Sequence, residues 1–337
     1  MSRTYPLGDA RDKPGWGFRI GSRQSAGAGH VVRSLAIAKA MHDRVTLFLD
    51  PDSPDSVFEA GFHAVVETGP NSCEALIRHA ESGASRGIVL DSYALDTASF
   101  AECRRHGAVA SFADIAAADG VDILVDPYGM LPPGEGILSG PAFAPLDARF
   151  RAVHARACTR DWPPAGDAPI LVAFGQIDTP NLTGLTLSVL AETGTDRPVT
   201  VCLGARAPHL NSIRTQVDGM RNARLLVGVA DMIPLYETSA FAIGAPGVSQ
   251  FERACCGLPT ILMPQNDTQR PIAQSLTASG LAASTESDPA TLRACLEAWL
   301  QNPTEMAAIR ASGLKKIDGS GAQRIAEALE RHDDAHK

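Results

Sequence analysis

Short, strongly apolar runs alternate with helix-length stretches along this chain, and the alternation starts over once near the middle. In the first half the runs are Gly17 to Ser22, Val45 to Leu49, Ala64 to Glu67, Gly87 to Asp91, Ala108 to Ala113 and Asp122 to Val125. Several have no polar face, as strands buried on both sides do, whereas half-exposed strands alternate apolar with polar residues. Helical patterns lie between them, clearest from His30 to Met41 and from Ser72 to Ser82. This order predicts a parallel sheet with right-handed crossovers. Gly and Pro are dense at Gly129 to Pro145 and again at Asp161 to Pro169. The pattern then restarts with Ile170 to Phe174, Val199 to Leu203, Ala223 to Val227, Ala240 to Gly244 and Thr260 to Met263.

The expected organisation is an α/β chain with a loose extension over residues 1–16 and a Rossmann-like domain over 17–160. A second such domain over 161–337 ends in an exposed amphipathic helix from Gln323 to Lys337. A length of 337 residues suits two domains. Two such domains are expected to leave a cleft at the carboxyl ends of their strands, where open α/β sheets bind ligands.

Composition narrows the partners. A formal net charge of -8 and no visible cluster of Lys and Arg argue against nucleic acid, because phosphate neutralisation needs concentrated positive charge. The seven cysteines form an odd set without CxxC spacing, so neither a disulfide framework nor a zinc site is expected. The polar first residues lack the apolar core of a signal peptide, and no later run approaches the ~20 apolar residues of a membrane span. A cytoplasmic protein with a small-molecule partner and no membrane association is the expectation.

Chemistry is expected in the strand-to-helix loops. The loop after the first strand contains Gly27 and Gly29, which let a ligand approach the backbone, and leads into His30 in the first helical turn. The positive helix end favours neutral imidazole, suited to a general base; the alternative is a plain turn with a solvated histidine. Val32 stands where a dinucleotide fingerprint needs its third glycine, so no nicotinamide cofactor is expected. Asp91, at the end of an apolar strand, either orients His30 or a substrate hydroxyl or caps the next helix, and Tyr93 offers a ring and a hydroxyl to a sugar. In the second half, Gly244 to Glu252 forms a small-residue loop entering a helix, which offers backbone N–H groups to a phosphate. Glu252 either accepts from ribose hydroxyls or complements the helix dipole. The polar loop Pro264 to Pro271 suits a sugar or phosphate, or is simply solvated.

Together these segments resemble a known family, the UDP-sugar hydrolases of pseudaminic acid biosynthesis, which remove UDP from UDP-2,4-diacetamido-2,4,6-trideoxy-β-L-altropyranose. The resemblance spans about residues 17 to 285. It rests on Phe18-Arg19 with Gly27 to Arg33, Val89 to Tyr93, Ser111 to Asp114 with Asp122 to Val125, Phe174 to Asp178, and Gln250 to Glu252 through Pro259. It implies the GT-B fold, two Rossmann-like domains facing across a cleft. His30 would be the base that activates water at the anomeric carbon, with no metal and no cofactor. Arg19, Gly27, Gly29, Arg33, Asp91, Tyr93 and Gln269 would line the sugar. Gly175, Asp178, Gly247, Val248, Ser249 and Glu252 would hold UDP. The free sugar would feed a nonulosonic acid used in surface or flagellar glycosylation. Departures from the family pattern fall at Gln176, Ser92, Ala113 and Thr268, and bear on sugar specificity more than on fold. Two other readings share the donor site: a GT-B glycosyltransferase that passes the sugar to a hydroxyl or amine, and a non-catalytic nucleotide-sugar-binding subunit.

Overall fold

The computed structural model describes residues 14–21, 29–53, 55–115, 120–162 and 166–334. The chain divides into two compact units, 1–148 with 320–337, and 149–319. In the first unit the order is β1 (Gly15–Ile20), α1 (Gly29–Ala40), β2 (Val45–Leu49), α2 (Asp55–Phe58), β3 (His63–Val66), α3 (Glu74–Glu81), β4 (Ser85–Asp91), α4 (Thr97–Arg104), β5 (Ala108–Phe112), β6 (Ile123–Asp126) and β7 (Ile137–Ser139). The second unit runs α5 (Phe150–Thr159), β8 (Ile170–Ala173), α6 (Leu182–Thr193), β9 (Val199–Leu203), α7 (Leu210–Asp218), β10 (Ala223–Val227), α8 (Ile233–Thr238), β11 (Phe241–Gly244), α9 (Val248–Cys255), β12 (Thr260–Leu262), α10 (Gln269–Ala278), β13 (Ala283–Ser284), α11 (Pro289–Gln301) and α12 (Thr304–Lys316). The last helix, α13 (Gly321–Asp334), returns to the first unit.

Both sheets are parallel throughout. The first is ordered β3-β2-β1-β4-β5-β6-β7 and the second β10-β9-β8-β11-β12-β13. Strand order therefore reverses between β1 and β4 in one sheet and between β8 and β11 in the other. At such a switch point the two crossovers leave in opposite directions and open a crevice at the carboxyl ends.

The apolar runs are continuous because both faces of each sheet are covered. Phe18, Val89 and Phe112 pack on one side of the first sheet, under α1 and α13. Ile88, Leu90 and Val109 pack on the other, with Leu76 of α3 and Phe100 and Cys103 of α4. Helix starts follow local capping chemistry. Asp96 accepts from Ser99 N at 2.9 Å to begin α4, and Asp288 accepts from Ala290 N and Thr291 N at 2.9 and 3.0 Å ahead of α11.

Two expectations of domain organisation are corrected. Gly15 and Trp16 are not extension but buried residues of β1; residues 1–13 lie outside the described residues. The boundary falls at 148/149 rather than 160, and the terminal helix belongs to the first unit, not the second. The cause is its apolar stripe: Ala322, Ile325, Ala326 and Leu329 recur at helical spacing and are buried with the α1 core rather than exposed. Among the described residues no helix is long and apolar enough to cross a membrane.

Candidate functional site

The β1/β4 switch point gathers a network of polar side chains. Helix α1 presents His30, Arg33 and Ser34 on one face, because residues three and four apart are neighbours on a helix. All three turn to Asp91, the last residue of β4. Its Oδ1 meets His30 Nδ1 at 2.5 Å and accepts from Arg33 Nη2 at 2.6 Å. Its Oδ2 accepts from Arg33 Nε at 2.9 Å and from Ser34 Oγ at 2.7 Å. Arg33 Nη1 donates to both oxygens of Asp114, just beyond β5, at 3.0 Å each, and the guanidinium lies 3.8 Å over the Phe112 ring. Tyr93 donates its hydroxyl to Asp114 Oδ2 at 2.7 Å and stands edge-on to His30, with ring centroids 4.5 Å apart.

The electrostatics fix the state of the groups around the imidazole. Burial pushes the Asp91 carboxyl up, but the Arg33 guanidinium and His30 outweigh that and hold it well below the usual carboxylate range. Burial and the neighbouring Asp114 push the Tyr93 phenol well above its ordinary value, so it remains a donor. An ionised Asp91 can only accept, so the hydrogen in the His30 contact sits on Nδ1, and in a neutral ring the lone pair is then on Nε2. Among the described residues nothing hydrogen-bonds Nε2, and His30 keeps 6% exposure while Asp91 has 0%. An imidazole oriented by a buried carboxylate, with its second nitrogen free, is a competent general base.

The second sheet offers backbone rather than titratable side chains at its switch point. Gly175 follows β8 with φ of 88° and open space where a Cβ would stand. Gly247 precedes α9 with φ of 148°, again with open space, so the first N–H groups of α9, at Val248 and Ser249, are reached without side-chain obstruction. Beneath them, fully buried Arg253 donates to Ala245 O at 2.8 Å and to Gln250 Oε1 at 3.1 Å, which stiffens the loop. Half-buried Glu252 accepts from Tyr236 Oη at 3.0 Å; burial raises its carboxyl while that hydrogen bond lowers it, with a net rise.

Several residues expected to meet a ligand have protein partners. Arg19 is fully buried in β1 and engaged by Asp50 Oδ1 at 2.5 Å and by the carbonyls of Ser72 and Pro70 at 2.8 and 2.9 Å, so it clamps the loop after β3. Asp178 is buried too, and accepts from Leu182 N and Thr183 N at 3.0 and 2.8 Å, which starts α6. Asp91 and Arg33 are likewise interior, and both turn to His30. Gln269 is half-buried at the start of α10 and accepts from Gln265 N at 2.9 Å. Gly29 opens α1, and Gly27 lies outside the described residues. Sequence reasoning missed Ser34, Tyr128, Tyr236 and Arg253 and gave Asp114 no role. The spacing of Ser34 from His30 and the position of Asp114 past a strand end were available signals. Among the described residues, no group of three or more His, Cys, Asp or Glu is arranged to hold a metal ion.

No protein-family model matches the chain. It is 22% identical over 275 residues to the spore coat polysaccharide biosynthesis protein SpsG of Bacillus subtilis (strain 168), a match covering 76% of this chain and 79% of that protein. Among solved structures, Acinetobacter baumannii MurG superposes with a TM-score of 0.70 at 14% identity, covering 95% of this chain and 99% of that one. The S. aureus MnaA–UDP co-structure gives 0.64 at 9% identity, covering 95% and 97%. Likeness at these identities establishes the fold. The chain has the GT-B architecture, two Rossmann-like parallel-sheet domains, shared with glycosyltransferases among its structural neighbours.

Proposed function

We propose that this chain transfers a glycosyl group from a UDP-sugar to an oxygen nucleophile that His30 deprotonates. The observation that carries the reading is the His30–Asp91 contact of 2.5 Å, made through Nδ1, with Nε2 unbonded among the described residues and so placed to take a proton. In the proposed step the nucleophile's O–H gives its proton to Nε2, its oxygen bonds to the anomeric carbon, and the C–O bond to UDP breaks with the electron pair leaving on the diphosphate. UDP is already a good leaving group, so a base and donors that steady the departing charge suffice. The open backbone at Gly175 and at Gly247 to Ser249 suits the diphosphate, and Glu252 suits the ribose hydroxyls. MnaA's co-structure holds UDP, which supports a uridine nucleotide.

The GT-B neighbours and the polysaccharide-biosynthesis relative favour a hydroxyl-bearing acceptor, hence a glycosyltransferase. A second reading takes water as the nucleophile, giving the hydrolase of UDP-2,4-diacetamido-2,4,6-trideoxy-β-L-altropyranose; the segment from Gly29 to Arg33 and the Asp91 and Tyr93 pair favour it. Both use the same base. The test is UDP release by purified protein from a panel of UDP-sugars, including that altrose derivative, with and without hydroxyl acceptors. Release without acceptor selects the hydrolase, and release that requires one selects the transferase. UDP binding without release under any condition refutes catalysis and leaves the binding subunit.

A further inference from the structure

Asp114 is 8% exposed in its side chain and is the second carboxylate on Arg33. Arg33 places Nε and Nη2 on Asp91. Its Nη1 is turned to Asp114 as well, at 3.0 Å to each oxygen, so one guanidinium charge is divided between two carboxylates. The groups that touch His30 among the described residues are Arg33 from α1, Asp91 at the end of β4 and Tyr93 after it; Ser34 donates to Asp91, Asp114 beyond β5 meets Arg33 and Tyr93, and Tyr128 after β6 lies within the same electrostatic network. Arg33, Asp91 and Asp114 sum to one net negative charge while His30 is neutral, and to none once it has taken a proton.

We propose that Asp114 is a positioning residue for the His30 base: it shares Arg33, so that one guanidinium charge does not balance both carboxylates, and it holds the Tyr93 ring edge-on to the imidazole. The proposal rests on the reading of His30 as a base. Asp114 acts through Arg33 and Tyr93 and touches no reacting atom. Its charge stabilises the imidazolium that forms when Nε2 takes the proton, at a distance where an interior charge still counts. A neutral residue there leaves a cluster that becomes net positive on protonation, which disfavours the imidazolium. The same change withdraws the acceptor for the Tyr93 hydroxyl and frees that ring.

The decisive experiment reads protonation directly and needs no substrate. Histidine ring carbon–proton NMR spectra of the full chain are titrated for wild type, Asp114→Asn and Asp114→Glu, with His30 assigned by its disappearance in His30→Ala. The expected result is a His30 midpoint about one pH unit lower in Asp114→Asn and close to wild type in Asp114→Glu. If Asp114→Asn does not fold, Asp114→Ser removes the same charge with a smaller side chain and carries the same expectation. An unchanged or raised midpoint in the folded neutral variant overturns the proposal. Because the readout is a titration, it stands apart from the glycosyl-transfer reading, which fails on activity alone. Where activity is present, the acid limb of the rate–pH profile moves down by the same amount in Asp114→Asn, and the plateau falls about tenfold. A purely structural role for Asp114 would leave that limb in place.

Discussion

Asp91→Asn is the substitution that separates stability from chemistry most sharply. Asp91 is wholly buried and serves four donors, two on each oxygen. Asparagine keeps the shape but turns one of those oxygens into a donor. If the amide nitrogen takes the Oδ2 place, it confronts Arg33 Nε and Ser34 Oγ; if it takes the Oδ1 place, it confronts Arg33 Nη2 and forces His30 Nδ1 to accept. Either way one Arg33 hydrogen bond is lost and a buried guanidinium loses its charged partner, a loss that typically costs about 3–5 kcal/mol. The second placement also moves the imidazole hydrogen to Nε2, which abolishes the base, and loss of the correct tautomer costs roughly 10³–10⁴ in turnover. The stability cost carries a pH signature. The folded carboxyl is depressed below its unfolded value, so its contribution is fully present above about pH 5 and fades as pH falls through the unfolded value near ~3.9 toward the folded one. Urea unfolding of wild type and variant at neutral pH and at about pH 3.5 measures this. A difference below about 1 kcal/mol at neutral pH, or one that grows on acidification, refutes the assignment of Asp91 as the ionised centre of the network.

Two further predictions follow from the corrected residues. Arg19→Lys replaces a five-donor fork with a point charge and is expected to destabilise the protein by about 2–4 kcal/mol in chemical denaturation, while UDP-sugar affinity of the folded variant stays within about threefold. A large loss of affinity at full folding would restore Arg19 to the ligand site. Ile325→Ala empties a position with 0% exposure beneath α1 and is expected to cost about 2–4 kcal/mol, whereas a terminal helix lying free on the surface would give under ~0.5 kcal/mol.

Most of the scaffold was legible because buried parallel strands announce themselves as largely apolar runs; Val45–Leu49 and Val199–Leu203 are expected and observed alike. The short edge strands Ile137–Ser139 and Ala283–Ser284 were not, since three residues in a Gly- and Pro-rich stretch, or two, carry no period. The terminal helix was misassigned because an amphipathic pattern states that a face is buried but not against what. The site divides the same way. His30 and Asp91 were legible from their places at a helix start and a strand end, and Asp91 as the orienter of His30 is one of the roles expected of it. Arg19 and Asp178 sit in equally suggestive places, yet their polar atoms are occupied by the Asp50 carboxylate with the carbonyls of Pro70 and Ser72 in one case, and by the N–H groups of Leu182 and Thr183 in the other. Whether a charged side chain is already partnered depends on such folding contacts, which a linear pattern does not encode. Asp114 is the converse case, since its importance comes from sharing Arg33 across 81 positions of sequence.

The central claim is that His30 acts as a base and not as a ligand-binding or structural residue. The measurement that tests it most directly is turnover and UDP affinity for His30→Ala and wild type, on the same preparations and with whichever nucleophile the UDP-release panel identifies. Turnover lower by about 10³-fold or more with UDP affinity within about twofold is the predicted result. Turnover within tenfold of wild type, or UDP binding lost together with it, would contradict the account.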